Sequence, residues 1–168
     1  MSEEIFPIVN DNAEIIGSAT RSECHSGSFL LHPVVHLHVF NEHDALYLQK
    51  RADNKDIQPG MWDTAVGGHV NLNETVFDAL QREAYEELNI NTFEPVFAFR
   101  CVFESKIERE LVHSFFTYYS DEIIPNPAEI SEGKFWKFEE IEDNLGKMVF
   151  TPNFESEFEK IKAALLDF

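Results

Sequence analysis

Three glutamates in one short segment could bind a metal ion together. Glu83, Glu86 and Glu87 stand at positions i, i+3 and i+4, which places their side chains on the same face of a helix. Like charges at this spacing repel each other, and Arg82 is the only nearby basic residue. Oxygen ligands without cysteine indicate Mg²⁺, with Mn²⁺ as an alternative. A carboxylate cluster that holds Mg²⁺ is typical of sites that act on phosphates.

The spacing around these glutamates resembles the signature of the Nudix hydrolases. That signature runs glycine, five residues, glutamate, seven residues, arginine–glutamate, an apolar residue, any residue, two glutamates, any residue, glycine and an apolar residue. Asn89 stands where the family has the glycine that ends the helix in a left-handed conformation, and asparagine is the next-best residue there. The matching positions are Gly68, Glu74, Arg82, Glu83, Ala84, Glu86, Glu87 and Ile90.

This resemblance implies a site and a reaction. Arg82 and Glu74 would orient the other glutamates of the box. Bound cations would neutralise a diphosphate and lower the pKa of a bound water, while a carboxylate takes the proton as that water attacks phosphorus. The identity of that base stays open among Glu83, Glu86 and a later glutamate. The metal ligands implied by the resemblance are Glu83, Glu86, Glu87 and the backbone carbonyl of Gly67.

A second set of residues resembles the metal-ligand positions of isopentenyl-diphosphate isomerase, a relative with the Nudix fold. Three imidazoles and two carboxylates suit a divalent metal, and the alternative is that they are unrelated pocket or surface residues. Three further histidines, His36, His38 and His113, lie in predicted strands and are interpreted as core or rim residues. The residues of the second set are His25, His32, His69, Glu108 and Glu110.

Position 67 separates the two resemblances. The isomerase has a cysteine two residues before the last histidine of the set, and this chain has Gly67. The box of the isomerase is also degenerate, whereas this chain keeps every glutamate. The leading hypothesis is therefore a Mg²⁺-dependent hydrolase that cleaves a diphosphate linkage in a nucleoside diphosphate derivative or similar small molecule. The isomerase is the first alternative, and a non-catalytic Nudix-fold sensor of nucleotide sugars is the second.

Charge and composition narrow the expected partners. The 168 residues carry a formal net charge of −18, which argues against a surface for duplex nucleic acid, because such a surface needs clustered lysine and arginine. The N-terminus lacks the pattern of a secretory signal, and no apolar stretch reaches the roughly 18 residues of a membrane span. Cys24 and Cys101 give no metal spacing, so we expect reduced thiols in a cytoplasmic protein. The expected partner is a small-molecule diphosphate. The sequence does not fix the oligomeric state, and it is compatible with a homodimer.

The elements that must position these residues are predicted to form one domain over residues 1–168. Strands, a central helix, further strands and a final helix indicate a mixed sheet covered on both faces. This order resembles the Nudix α/β/α sandwich. The main predicted elements are a hairpin at 1–20, strands at 34–40, 45–50, 95–104 and 110–120, a box helix at about 74–88 and a C-terminal helix at about 153–166.

The box helix has an apolar face that should pack on this sheet. Asn73 or a neighbouring residue could cap its N-terminus. The residues predicted on its inner face are Val76, Phe77, Leu80, Ala84 and Leu88.

Overall fold

The structure is a computed structural model that describes residues 2–168. Nine strands and four helices follow one another along the described chain. In chain order they are β1 (Ile5–Val9), β2 (Ile15–Thr20), α1 (Arg21–Cys24), β3 (Leu31–Phe40), β4 (Leu46–Arg51), β5 (Trp62–Thr64), β6 (Val66–His69), α2 (Val76–Leu88), β7 (Val96–Glu104), β8 (Arg109–Tyr118), β9 (Ile130–Trp136), α3 (Phe138–Glu142) and α4 (Pro152–Leu166).

A seven-stranded mixed sheet is organised around β3. β8 runs parallel to β3 along its whole length, and β7 pairs antiparallel with the outer edge of β8. The other edge of β3 is shared, because β6 pairs with Val34–Leu37 and β4 pairs only at Phe40. β5 and β9 both pair with β4, and β1 and β2 form a separate hairpin. β3 is therefore the strand from which the rest of the sheet is positioned.

Helices cover both faces of this sheet. Along β3, the side chains of Val35, Leu37 and Val39 pack in one core with the apolar face of α2. Phe40 lies in a second core that includes Phe158 of α4. The alternation of strand side chains thus supplies apolar groups to two different helical layers. The α/β/α sandwich and the mixed sheet predicted from the sequence are confirmed.

The box helix is shorter at its start than predicted. It begins at Val76, and its cap is Thr75, whose hydroxyl accepts a hydrogen bond from the amide of Asp78 at 3.1 Å. The prediction that Phe77 faces the core is wrong, since 48% of this residue is exposed. Phe77 lies in the first turn, and its ring meets the edge of Phe115 with 6.5 Å between centroids.

The C-terminal end of α2 matches the expectation drawn from its sequence. Asn89 adopts the left-handed conformation with φ 55° and ψ 31°. Its amide donates to the carbonyl of Tyr85 at 2.9 Å, and the amide of Ile90 donates to that of Ala84 at 3.2 Å. Asparagine therefore ends the helix in the same way that glycine usually does.

Three short elements, α1, β5 and β6, were not predicted from the sequence. β6 has four residues with two glycines, so it has neither the length nor the composition of a typical strand. Its pairing with β3 is what makes it a strand. Among residues 2–168, no helix is long and apolar enough to cross a bilayer.

Candidate functional site

The box glutamates lie against the glycine pair of β6. Gly67 is paired with His36 of β3, and Gly68 with Val35. A Cβ atom on Gly68 would overlap the carboxyl group of Glu83, so only glycine lets the strand approach α2 this closely. The glycine pair and the helix thus form two walls of one site.

The guanidinium of Arg82 is held by hydrogen bonds at the edge of the site and is not a free charge within it. Its Nε and Nη2 atoms donate to the two carboxylate oxygens of Glu74 at 2.7 and 3.0 Å. Nη2 also donates to the carbonyl of His69 at 2.9 Å, and Nη1 to Glu83 Oε1 at 2.7 Å. These hydrogen bonds raise the pKa of Arg82, so the guanidinium stays charged. Arg82 therefore connects Glu83 to the loop that precedes the helix and to the end of β6.

Glu83 and Glu87 are the two inward carboxylates of the helix. Burial raises the pKa of Glu83, although Arg82 opposes this effect. Burial and the neighbouring Glu83 raise the pKa of Glu87 well above its ordinary value. Glu87 accepts hydrogen bonds from the amide of Gln49 and the backbone of Gly67, but no lysine or arginine of the described chain lies within 4 Å of it. Such a pair of partly buried oxygen donors fits a hard divalent cation.

Glu86 occupies the outer part of the same helical face. Its side chain is 55% exposed, and its carboxylate lies 3.4 Å from Nη1 of Arg82. All three box glutamates line one cavity of about 1080 Å³, together with Gly67 and Gly68. The structure therefore brings the residues of the first predicted set to one place.

The second predicted set is also largely gathered. One ring nitrogen from each of His25, His32 and His69 and a carboxylate oxygen of Glu108 lie within 4.8 Å of one another. His25 Nε2 is 3.2 Å from His69 Nε2 and 3.0 Å from Glu108 Oε2. His32 Nε2 is buried with no hydrogen-bond partner among residues 2–168. Three imidazoles and a carboxylate converging in this way fit a divalent metal.

The hairpin of β1 and β2 helps to position these histidines. The Phe6 ring is stacked on the His69 ring, with centroids 4.4 Å apart and an interplanar angle of 1°. Burial lowers the pKa of His32 and, more strongly, that of His69. Both rings are thereby kept neutral, which is the form that binds metals.

Glu110 lies outside this group of four. It is buried, and burial together with the nearby Glu108 raises its pKa to about 7. It lines the same cavity as the box glutamates, as do His25, His69 and Glu108. The two predicted sets therefore share one cavity, and Glu110 lies in it beside the histidine group.

Several polar groups near the site were not predicted. His36 is hydrogen-bonded to Glu157 of α4, and Asp63 of β5 accepts from the hydroxyl of Thr151 at 2.9 Å. His36 and Asp63 also line the cavity. The sequence could have indicated His36 as a polar residue within a buried strand. It could not have indicated Glu157 as its partner, because the two residues are far apart in the sequence.

Comparison with known proteins was made at the level of the family, of curated relatives and of solved structures. The family profile described as NUDIX domain matches residues 30–154. An isopentenyl-diphosphate Delta-isomerase 1 of Photorhabdus laumondii is 27% identical over 162 residues, 92% of each chain. An uncharacterised Nudix hydrolase of Nostoc sp. is 41% identical over 88 residues, 52% of each chain. The curated relatives are thus divided between hydrolases and isomerases.

Solved structures with the same fold are more distant in sequence. A protein of Deinococcus radiodurans has a TM-score of 0.72 at 24% identity, covering 86% of this chain and 90% of its own. A MutT protein from Methanosarcina mazei Go1 has a TM-score of 0.67 at 24% identity, covering 79% of this chain and 94% of its own. These likenesses concern the fold.

Proposed function

The chain belongs to the Nudix family, and on that premise we propose that it is a Mg²⁺-dependent hydrolase that cleaves a diphosphate linkage in a nucleoside diphosphate derivative or similar small molecule. Members of the family act on small diphosphate compounds and typically use a divalent metal. The specific proposal concerns the reaction, the metal and the residues that carry them.

The observation that carries the proposal is the arrangement of Glu83 and Glu87 around the glycine pair of β6. Two partly buried carboxylates lie in one cavity, and among residues 2–168 Glu87 has only neutral hydrogen-bond donors. An anion that is shielded from water without a positive partner is destabilised. A divalent cation is the partner that this carboxylate pair fits, together with Glu86 and the carbonyl of Gly67.

The chain's own residues would orient the substrate and handle the proton. Bound Mg²⁺ would neutralise the diphosphate and make a bound water more acidic. Arg82 keeps Glu83 turned toward the cavity, because its guanidinium is already held by Glu74 and by the carbonyl of His69. A carboxylate at the cavity wall would accept the proton from the attacking water.

Charged side chains of both signs line the cavity. Nine acidic and five basic residues line it, so the lining keeps the negative balance of the chain, which has 31 aspartates and glutamates against 13 lysines and arginines. An anionic substrate would therefore need bound cations to approach the box. Besides Arg82, the basic residues that line the cavity are Arg21, Arg51, Lys55 and Lys106.

A substrate screen tests the proposed function. Purified protein with Mg²⁺ would be incubated with nucleoside di- and triphosphates, sugar nucleotides, dinucleoside polyphosphates and isoprenoid diphosphates, and phosphate release would be measured. We expect hydrolysis of at least one class, and its loss when a chelator removes the cation. Hydrolysis that persists without a divalent cation, or its absence for every class, would contradict the proposal.

The second candidate function is isopentenyl-diphosphate isomerisation. It is favoured by one observation, the convergence of His25, His32, His69 and Glu108 within 4.8 Å. Against it stands Gly67, which has no side chain to exchange a proton with an alkene. We therefore place the isomerase second.

A further inference from the structure

We propose that His36 binds a phosphate oxygen of the substrate through its Nε2 atom, and that Glu157 holds the imidazole in position for this contact. The inference rests on the proposed function, because it concerns the diphosphate that the box glutamates would process. It adds a substrate-binding residue that lies outside the box and on the opposite side of the glycine pair.

The first step concerns the fixed side of the imidazole. Both hydrogen bonds of the His36 ring to the described residues are made by Nδ1, which lies 3.0 and 2.9 Å from the two oxygens of Glu157. Glu157 is only 2% exposed, and no lysine or arginine of the described chain lies within 4 Å of its carboxylate. A buried carboxylate needs a positive partner, and His36 is the histidine within hydrogen-bond distance of it. His38 Nε2 lies farther away, at 3.9 Å, and is hydrogen-bonded to Ser114. The ring of His36 is therefore a fixed cation with one donor engaged.

The second step concerns the free side of the ring. A Cβ atom on Gly67 would lie 3.3 Å from Cδ2 and 3.5 Å from Nε2 of His36, so this edge of the imidazole faces the glycine pair. His36 lines the cavity together with Gly67, Glu83 and Glu87. An imidazolium has two donors, and Nε2–H is the one on the ring edge that faces Gly67 at the cavity wall.

The third step identifies what the free donor would bind. Asp63 and Glu110 line the same cavity, yet no oxygen of either lies within 4 Å of a His36 nitrogen in the described chain. The Nε2–H donor is thus left for a ligand. The ligand that cations at the box would bring there is a diphosphate, and a charged donor forms strong hydrogen bonds to phosphate oxygens. Because His36 and the box lie on opposite sides of the glycine pair, they would hold the diphosphate from two directions.

Binding of a non-hydrolysable probe to the full chain tests the inference. Imidodiphosphate with Mg²⁺ would be titrated into the wild type and into His36→Gln, with calorimetry as the readout. Loss of a hydrogen bond to a charged group should weaken binding roughly 10- to 100-fold. His43→Gln is the control, because the side chain of His43 is 79% exposed, does not line the cavity and is not among the ion pairs of Glu157. We expect its affinity to stay within about twofold of the wild type.

Titration with Mn²⁺ alone separates a direct contact from a structural role. If His36 only supported Gly67, then His36→Gln would weaken Mn²⁺ binding as much as imidodiphosphate binding, and this result would overturn the inference. We expect Mn²⁺ affinity to be unchanged. Glu157→Gln keeps the imidazole but removes the negative charge of its partner, and it should also weaken the binding of imidodiphosphate. This substitution serves as the second variant if His36→Gln fails to fold.

The remaining outcomes distinguish this inference from the proposed function. If Glu87→Gln abolishes probe binding while His36→Gln and Glu157→Gln bind it normally, the role of His36 is wrong and the hydrolase proposal stands. If the wild type releases phosphate from a substrate but does not bind imidodiphosphate, the proposed contact of His36 with a diphosphate is wrong and the hydrolase proposal stands. If the wild type does neither, both proposals are wrong.

Discussion

Glu87 is the residue of the box whose surroundings are least able to stabilise its charge. Its carboxylate is partly buried beside Glu83, and within residues 2–168 it receives hydrogen bonds only from Gln49 and the backbone of Gly67. Neutral donors satisfy its lone pairs without cancelling its charge, so the carboxylate has the properties of a metal ligand. A change that removes this charge and keeps its shape isolates its role.

We expect Glu87→Gln to lose hydrolysis by about 10²–10³-fold with folding retained, because a charge contact to the transition state is removed. Phosphate release with Mg²⁺ present measures the loss, and thermal unfolding checks the fold. Glu159→Gln is the control, since this glutamate is 76% exposed at its side chain on α4. Wild-type turnover in Glu87→Gln would show that the box is not the active site.

Asn89 shows how a departure from the family signature is tolerated. The left-handed conformation at φ 55° strains most residues, and asparagine adopts it more easily than others while glycine adopts it without strain. We therefore expect Asn89→Gly to be neutral or to stabilise the protein by less than about 1 kcal/mol. A melting temperature lower than that of the wild type by several degrees would show that the Asn89 side chain makes a stabilising contact.

At the scale of elements, the box is predictable from the sequence and its surroundings are not. The helical period alone places Glu83, Glu86 and Glu87 on one face, and this placement does not depend on the tertiary structure. The contact of His36 with Glu157 joins residues 121 positions apart, and it depends on how α4 packs on β3. No local pattern fixes such a contact, since it is a result of tertiary packing.

Phe77 illustrates the same limit inside the helix. Its position fits the apolar stripe, yet Phe77 is exposed while Ala79 and Leu80, which follow it closely, are fully buried in the core, so a place on the stripe does not by itself fix burial. The histidine set is an intermediate case. Four of its five residues are brought together from the C-terminal end of α1, where His25 follows the helix, from β3, from β6 and from the β7–β8 loop. The resemblance rather than periodicity predicted them.

Strand β8 carries a histidine that should make stability depend on pH. Burial and the nearby Arg100 lower the pKa of His113 to about 4, below its ordinary value of about 6.5. Above pH 6.5 both states are neutral at this residue. Between about pH 6.5 and 4 the unfolded chain takes up a proton that the folded chain does not, so stability falls as the pH falls.

We expect His113→Asn to reduce this loss of stability on acidification. Melting temperatures of the variant and the wild type, measured from pH 7 to pH 4, should differ progressively in favour of the variant. His43→Asn is the control, because the side chain of His43 is 79% exposed. Parallel curves for wild type and His113→Asn would contradict the low pKa of His113.

At the scale of the whole molecule, β3 connects every part of the site. It pairs with β6, which carries the glycine pair, and with β8, whose strand includes Glu110. His32 and His36 belong to β3 itself, and they lie on either side of the pairing with Gly68. The box and the histidine group therefore share one cavity because one strand positions both. This sharing makes the choice between hydrolase and isomerase a question about single residues.

The isomerase reaction needs two positioned acid–base groups, because a proton is delivered to one carbon of an alkene and another is removed nearby. Gly67 has no side chain and supplies neither group. A Cβ atom at position 67 would lie 3.3 Å from the edge of the His36 imidazole, so the His36 ring already occupies the adjoining space. Cys24 cannot replace it, since this thiol is buried in the core under the hairpin and burial raises its pKa to about 11.

We therefore expect no conversion of isopentenyl diphosphate to dimethylallyl diphosphate by the purified protein with Mg²⁺ or Mn²⁺. Proton NMR would follow the two isomers, and a phosphate assay on the same samples would detect hydrolysis. Phosphate release without isomerisation would agree with the hydrolase. Measurable formation of the isomer would reverse the ranking, because proton transfer would then have to come from groups other than residue 67. The cluster of His25, His32, His69 and Glu108, with Glu110 beside it, would become the main site.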